Sequence, residues 1–343
     1  MIEKFKIDIP REKVSKIKEK VKNYPWNLIP NLPDWKHGTN LPYLKEICDY
    51  WIKDFNWSLY EKKINNFQNF KTHVDGINIH FIKEEGSGSN PKNLLLIHGW
   101  PGSVIEFIKI INQLAHPENY GGNKEDGVTV IAPSLPGFGF SESPNEPYGP
   151  RKIAEILNKM MTINLKYKNY VAQGGDWGAT IANWLGYDHD KYCKAIHINC
   201  LTMRHPDGPQ TDKEKKWQEK FDKDQIVQDG YRTQQATKPQ TLSYAMMDSP
   251  VGIAAWIIEK MHGWSDLKDG NIESVYSKDV LLANIMTYLC TDTFSTSTWI
   301  YFGRREEGGR LFPKDFKKIN VPTGIAVFPK EMSEWPPRSY VER

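Results

Sequence analysis

Hydrophobic positions along the chain change period several times, and each change marks an element. Residues 11–24 set Val14, Ile17 and Val21 on one helical face among lysines and glutamates, just after Pro10, which suits a first helical turn. Pro25, Pro30 and Pro33 then enforce an extended passage. From 41 to 55, Leu41, Leu44, Ile47, Cys48, Trp51 and Phe55 recur at helical spacing and predict a second amphipathic helix. The period next drops to two: residues 67–73 and 77–82 flank Val74-Asp75-Gly76 as the strands of a tight hairpin. Leu94-Leu95-Leu96-Ile97 is a short unbroken apolar run, the signature of a strand buried on both faces. A helix over 104–115, a strand over 128–132 and a helix over 151–164 follow, the last burying Ile153, Ile156, Leu157, Met160 and Met161. Tyr170-Val171-Ala172 reads as a strand, the residues after 176 as a helix, and 194–197 as another strand.

Strands alternating with helices predict an α/β class with a mostly parallel sheet and helices on both faces. After Asn199 the alternation stops. Residues 204–312 are helical and polar, broken into short pieces by Pro206, Pro209, Pro239 and Pro250, and read as a lid over the strand ends. Residues 321–328 return to a strand pattern, followed by a polar loop to the last residue, Arg343. The expected organisation is a helical arm (1–66), a first part of the core (67–203), a helical lid (204–312) and a return to the core (313–343). No internal repeat is visible.

Composition narrows the function classes. With 45 basic and 42 acidic residues the formal charge is +3, which gives no reason to expect nucleic acid as a partner. Cys48, Cys193, Cys200 and Cys290 have no metal-ligand spacing, so reduced thiols and no metal site are expected. Without a GxGxxG or P-loop pattern, no nucleotide cofactor is expected. The opening residues carry no apolar signal region, and no run is of membrane length; a chain without a membrane anchor, in the cytoplasm, is the expectation. Asn56-Trp57-Ser58 fits a glycosylation sequon that this setting would leave unused.

The chemistry concentrates at two predicted strand ends. Gly174-Gly175-Asp176-Trp177-Gly178 has the form of a nucleophile elbow with aspartate at its centre, its glycines making room for a strained turn. A helix beginning after Asp176 would aim backbone N–H groups at the carboxylate; the same residue would also serve as a plain helix cap. His98-Gly99-Trp100-Pro101-Gly102-Ser103 follows a strand directly and has the character of an oxyanion loop, in which an N–H meets a developing negative oxygen. An ordinary Gly-Pro turn is the plainer alternative. Ser134-Leu135-Pro136-Gly137-Phe138-Gly139-Phe140-Ser141 occupies the next strand end.

Taken together these motifs resemble the epoxide hydrolases of α/β-hydrolase fold, in the branch that includes the microsomal and juvenile-hormone enzymes and their soluble microbial relatives. Trp35 and Tyr50-Trp51 resemble that branch's N-terminal region; Gly230-Tyr231, Thr237-Lys238-Pro239 and Asp248-Ser249-Pro250-Val251-Gly252 resemble a stretch of its lid. The resemblance implies that Asp176 attacks an epoxide carbon to form an alkyl ester. It further implies that Tyr231 and Tyr301 protonate the opening oxygen, and that the backbone N–H groups of Trp100 and Trp177 hold the oxyanion. Glu331 falls where the family's acidic charge-relay member lies. The implied partners are a small hydrophobic epoxide and water, with a homodimer left open.

One departure stands out. The relatives place a histidine some tens of residues beyond the acid, whereas all nine histidines here precede Glu331. The expectation is a fragment, or a truncated form lacking its last strand and covering helix, with the hydrolytic half-reaction impaired. Two alternatives stay open: a single-turnover or inactive relative that binds hydrophobic epoxides, and a dehalogenase, which also uses an aspartate on this elbow.

Overall fold

The first residues form an edge strand, β1 (Ile2–Lys4), whose antiparallel partner is not reached until residue 68. Helices α1 (Arg11–Lys22) and α2 (Leu41–Lys53) lie where the periodicity puts them. A further helix, α3 (Trp57–Asn65), starts at Asn56, whose side chain accepts the Ser58 N–H at 3.0 Å. The sequon tripeptide is thus a helix cap, the local role that asparagine's short carbonyl suits best. The hairpin of β2 (Gln68–Val74) and β3 (Ile77–Glu84) turns through Asp75 and Gly76, at φ 47° and 89°. Two positive φ values match the turn's twist to that of its strands.

Beyond β4 (Asn93–Ile97), the helix expected over 104–115 is two pieces: a 3₁₀ turn at Val104–Phe107 and the short α4 (Ile111–Ala115). Val104, Ile105 and Phe107 are all buried, a demand one helical face does not meet, and the run is rich in β-branched residues. Then follow β5 (Thr129–Pro133), α5 (Pro150–Lys159) with a π turn at Met160–Asn164, β6 (Tyr170–Gly174), α6 (Trp177–Asp188) and β7 (Cys193–Ile198). The stretch expected as a lid comprises α7 (Asp212–Gln228), α8 (Gly230–Thr237), α9 (Pro239–Met246), α10 (Pro250–Gly263), α11 (Lys278–Thr291), α12 (Phe294–Ser297) and α13 (Trp299–Glu306). Several of these are longer than the short pieces expected. Pro239 and Pro250 stand at the first helical position and open their helices, where the missing N–H costs nothing. Of the strand expected over 321–328 only β8 (Thr323–Ile325) forms, and α14 (Arg338–Val341) replaces part of the terminal loop.

This computed structural model describes residues 1–316, 318–331 and 334–343. Among them the sheet has eight strands in the order β1-β2-β3-β5-β4-β6-β7-β8, antiparallel from β1 to β5 and parallel from β5 to β8. Leu95, Leu96, Ile97, Val130, Ile131, Ala132 and Ala172 are fully buried at its centre. Beside β8 runs an apolar groove of about 820 Å³ lined by Ile196, Phe312, Phe316, Val321, Ile325 and Trp335, and Val327 is 63% exposed.

The arm is fastened to the lid. Lys20 pairs with Asp248 at 2.6 Å and Glu46 with Lys278 at 2.8 Å. The Tyr50 hydroxyl donates to Asp279 at 3.0 Å, Thr39 donates to the Ala255 carbonyl at 2.6 Å, and Trp35 stacks on His262 at 3.8 Å.

Candidate active site

Asp176 sits between β6 and α6 at φ 51°, ψ −119°, a conformation non-glycine residues rarely adopt, with a strain of order 1–3 kcal/mol. The close packing beneath it requires Gly178: a Cβ there would fall 1.9 Å from the Ile97 carbonyl oxygen at the end of β4. Gly99 is required from the other side, since its Cβ would fall 2.3 Å from Asp176 Oδ1. With that space free, the Trp100 N–H donates to Asp176 Oδ1 at 2.8 Å. The elbow and the loop after β4 thus meet as the sequence motifs predict.

The carboxyl of Asp176 is pushed up to about 6, chiefly by burial. The amides of Trp100 and Trp177, followed by Arg304, favour its charged form, while the charge of Glu331 opposes it. At neutral pH the group is therefore an ionised, poorly solvated carboxylate. His98 is spent on structure: its Nδ1 faces the Gly99 carbonyl at 3.0 Å and its Nε2 accepts the Leu135 N–H at 3.1 Å. Burial holds it at about 4, so it stays neutral. Pro101 closes the loop, and its carbonyl accepts from Asn284 Nδ2 at 2.6 Å. Asn284 Oδ1 in turn accepts from Ser103 at 2.8 Å, and the Tyr288 hydroxyl donates to the Gly102 carbonyl at 2.5 Å. One lid helix, α11, therefore locks the loop from above.

Tyr231 on α8 and Tyr301 on α13 come together over this loop, with ring centroids 5.7 Å apart and edge-on. Trp100 stacks on Tyr231 at 5.5 Å, and Trp177 meets Tyr301 edge-on at 4.7 Å. The two phenols lie side by side without a well-aligned hydrogen bond between them, and the Tyr301 hydroxyl is buried. Burial raises both phenols above the ordinary range, with the charge of Asp176 adding to it, so both are protonated at neutral pH. Arg304 lies over the Trp177 ring at 4.7 Å, bringing positive charge to the back of the elbow.

A cavity of about 790 Å³ opens on Asp176, with Trp100, Ile105, Ile257, Met261, Trp264 and Leu281 among its walls. Glu331, soon after β8, reaches the same cavity, and Tyr60, Lys63 and Phe67 line another part of it. Sequence reasoning missed Glu106, which also lines this cavity, as well as the clamp made by Asn284 and Tyr288. A single carboxylate inside the apolar run Val104-Ile105-Glu106-Phe107 was the available signal for the first. The second pairs residues too far apart in sequence to leave one. Cys200 also lines the cavity, but burial pushes its thiol up to about 12, which keeps it unreactive. Among the described residues no group of three His, Cys, Asp or Glu side chains could hold a metal ion, and no helix is long and apolar enough to cross a membrane.

An aspartate elbow under paired phenols, on an eight-stranded sheet of this order, defines the α/β-hydrolase class; residues 92–246 match the alpha/beta hydrolase fold and residues 2–107 the epoxide hydrolase N terminus. The chain is 38% identical over 97% of its length to a Stigmatella aurantiaca (strain DW4/3-1) protein that bears an epoxide hydrolase name, covering 75% of that protein. It is 34% identical over 98% of its length to epoxide hydrolase 1 of Sus scrofa, covering 80% of it. Its structure superposes on the juvenile hormone epoxide hydrolase of the silkworm Bombyx mori with a TM-score of 0.81 at 30% identity, covering 99% of this chain and 84% of that one. The chain belongs to the epoxide hydrolase family.

Proposed function

We propose that this chain opens small hydrophobic epoxides to vicinal diols through an alkyl ester on Asp176. The observation that carries the reading is the Asp176 carboxylate itself. It stands on a strained elbow, tethered by the Trp100 amide through Oδ1, beneath two protonated phenols and at the wall of a largely apolar cavity. Oδ2, the oxygen that amide does not hold, is the nucleophile. A carboxylate is a weak nucleophile, so the departing epoxide oxygen needs an acid, and a phenol gives its proton readily to an alkoxide. Tyr231 and Tyr301 supply that acid. The amides of Trp100 and Trp177, already turned to Asp176, hold the negative oxygen when water attacks the ester.

In the family pattern Glu331 would orient an imidazole that activates this water. Among the described residues no histidine lines the cavity, so ester formation should outrun ester hydrolysis. Incubation with excess styrene oxide should give a burst of one equivalent, with a mass increase of one substrate on the peptide holding Asp176. Intact-mass spectrometry that finds no adduct, together with no diol, would remove the proposal.

A second reading has an observation behind it. The indole N–H groups of Trp100 and Trp177 are buried without well-aligned acceptors, the kind of donor a halide needs. That of Trp177 already leans on the Tyr301 hydroxyl, which favours the epoxide. Halide release from a haloalkane would reverse the order.

A further inference from the structure

The loop after β4 presents two successive amides to two different carboxyl groups. The Trp100 N–H holds Asp176, and the Gly99 N–H favours the charged form of Glu106. Glu106 also lies against Gly102, where a Cβ would come 2.2 Å from its Oε1. Its neighbours Val104, Ile105 and Phe107 are buried in the core, which fixes the short 3₁₀ turn; of the four, Ile105 and Glu106 line the cavity, and Glu106 is the one that carries an ionisable group. Burial, and then the charge of Asp176, push its carboxyl up to about 8. It is exposed by area yet surrounded by protein, because the surface it shows is the cavity wall. Tyr288 of α11 feels its charge, and Tyr60, Lys63, Lys109, Cys200, Tyr276 and Glu331 are further ionisable groups on the walls of the same cavity.

Building on the ester intermediate proposed above, we propose that the carboxylate of Glu106 takes the proton from the water that cleaves the Asp176 ester, a slow route to turnover that uses no imidazole among the described residues. The two carboxyls share one proton in the resting site, carried by Glu106. Ring opening forms a bond from Asp176 Oδ2 to an epoxide carbon and breaks that carbon's bond to the ring oxygen, which takes a phenolic proton. Asp176 is then a neutral ester, and the charge that held the proton on Glu106 is gone. Glu106 returns that proton to the phenolate through water and becomes a base. Water next bonds to Asp176 Cγ while one of its protons passes to Glu106, and the carbonyl electron pair moves onto the oxygen facing the amides. Collapse breaks the bond from Cγ to the alkyl oxygen, which leaves with the proton from Glu106. The new carboxylic acid of Asp176 hands its own proton to Glu106. Epoxide and water have become diol, and both carboxyls are as they began.

The test uses the full chain, loaded with styrene oxide, desalted, and followed by intact mass as the adduct decays. The Glu106→Gln protein should still acquire the adduct, since alkylation draws on Asp176 and the phenols, but should lose it about 10²–10⁴-fold more slowly. In the unaltered protein the decay should accelerate as pH rises through the titration of Glu106 and then level off; in Glu106→Gln that dependence should vanish. Glu106→Asp, which keeps a carboxyl, should keep the pH dependence at a reduced rate. Equal decay in the unaltered and Gln proteins, or an adduct that never decays in the unaltered protein, overturns the role of Glu106 and leaves the ester on Asp176 standing. Should the Gln protein fail to load, an Asp protein whose decay does not respond to pH overturns it equally. An unaltered protein that acquires no adduct sinks the ester intermediate, and this inference with it.

Discussion

At Asp176 burial and two amides pull in opposite directions, and burial wins: the carboxyl lies near 6 against an ordinary 3.8. A group whose folded value is raised costs nothing below the unfolded value and destabilises once pH passes the folded one. Asp176→Asn should therefore leave stability unchanged below about pH 4 and raise it above pH 6, by about 3 kcal/mol at most, read from melting curves across pH. The same protein should acquire no epoxide adduct. Alkylation of the unaltered protein should fall as pH drops through about 6, because Asp176, the proposed nucleophile, is then protonated. Of the two phenols, each can still donate when the other is lost. Tyr231→Phe and Tyr301→Phe should each slow adduct formation, within the roughly 10²–10⁴-fold value of one general acid, and the double variant should be far slower than either. Unchanged loading in all three would make these rings structural.

Elements carry the next level of control. Helix α11 holds the loop after β4 through Asn284, which bridges the Pro101 carbonyl and the Ser103 hydroxyl. Asn284→Ala should cost about 1–3 kcal/mol for the buried groups left unpaired. It should also slow adduct formation by misplacing the Trp100 amide; melting and rapid-quench measurements check the two effects separately. The elbow, the loop after β4 and the hairpin were legible in sequence because each rests on local chemistry: small residues at a tight approach, or a turn demanding positive φ at Asp75 and Gly76. Tyr231 and Tyr301 were reached only through family resemblance, since seventy residues separate two rings that touch across α8 and α13. Glu106 was lost because residues 104–115 read as one helix, and nothing in that reading singles out a glutamate. Burial of three of its immediate neighbours breaks that helix and turns it inward. The strand β1, exposed along its length, carries no hydrophobic pattern and exists through pairing with β2.

Across the whole molecule, the N-terminal residues are tied to α10 and α11, the helices above the cavity that holds Asp176. The ties to these helices include ion pairs at Lys13, Lys20 and Glu46, hydrogen bonds at Thr39 and Tyr50, and the Trp35 ring on His262. Trp35→Ala should loosen α10, seen as faster hydrogen exchange in residues 250–263, and slow adduct formation while the sheet keeps its protection. These ties are also long in sequence: 216 residues for Thr39, 228 for Lys20 and 229 for Tyr50. On the ribosome the arm is made ahead of the helices it binds, with Ile17, Val21, Leu44, Ile47 and Trp51 destined for burial and α10 and α11 not yet translated. Until those helices follow, the part of this apolar surface that meets them is open to chaperones or neighbouring nascent chains. The segment that ties down α10 and α11 thus waits on partners more than two hundred residues away as the protein is made.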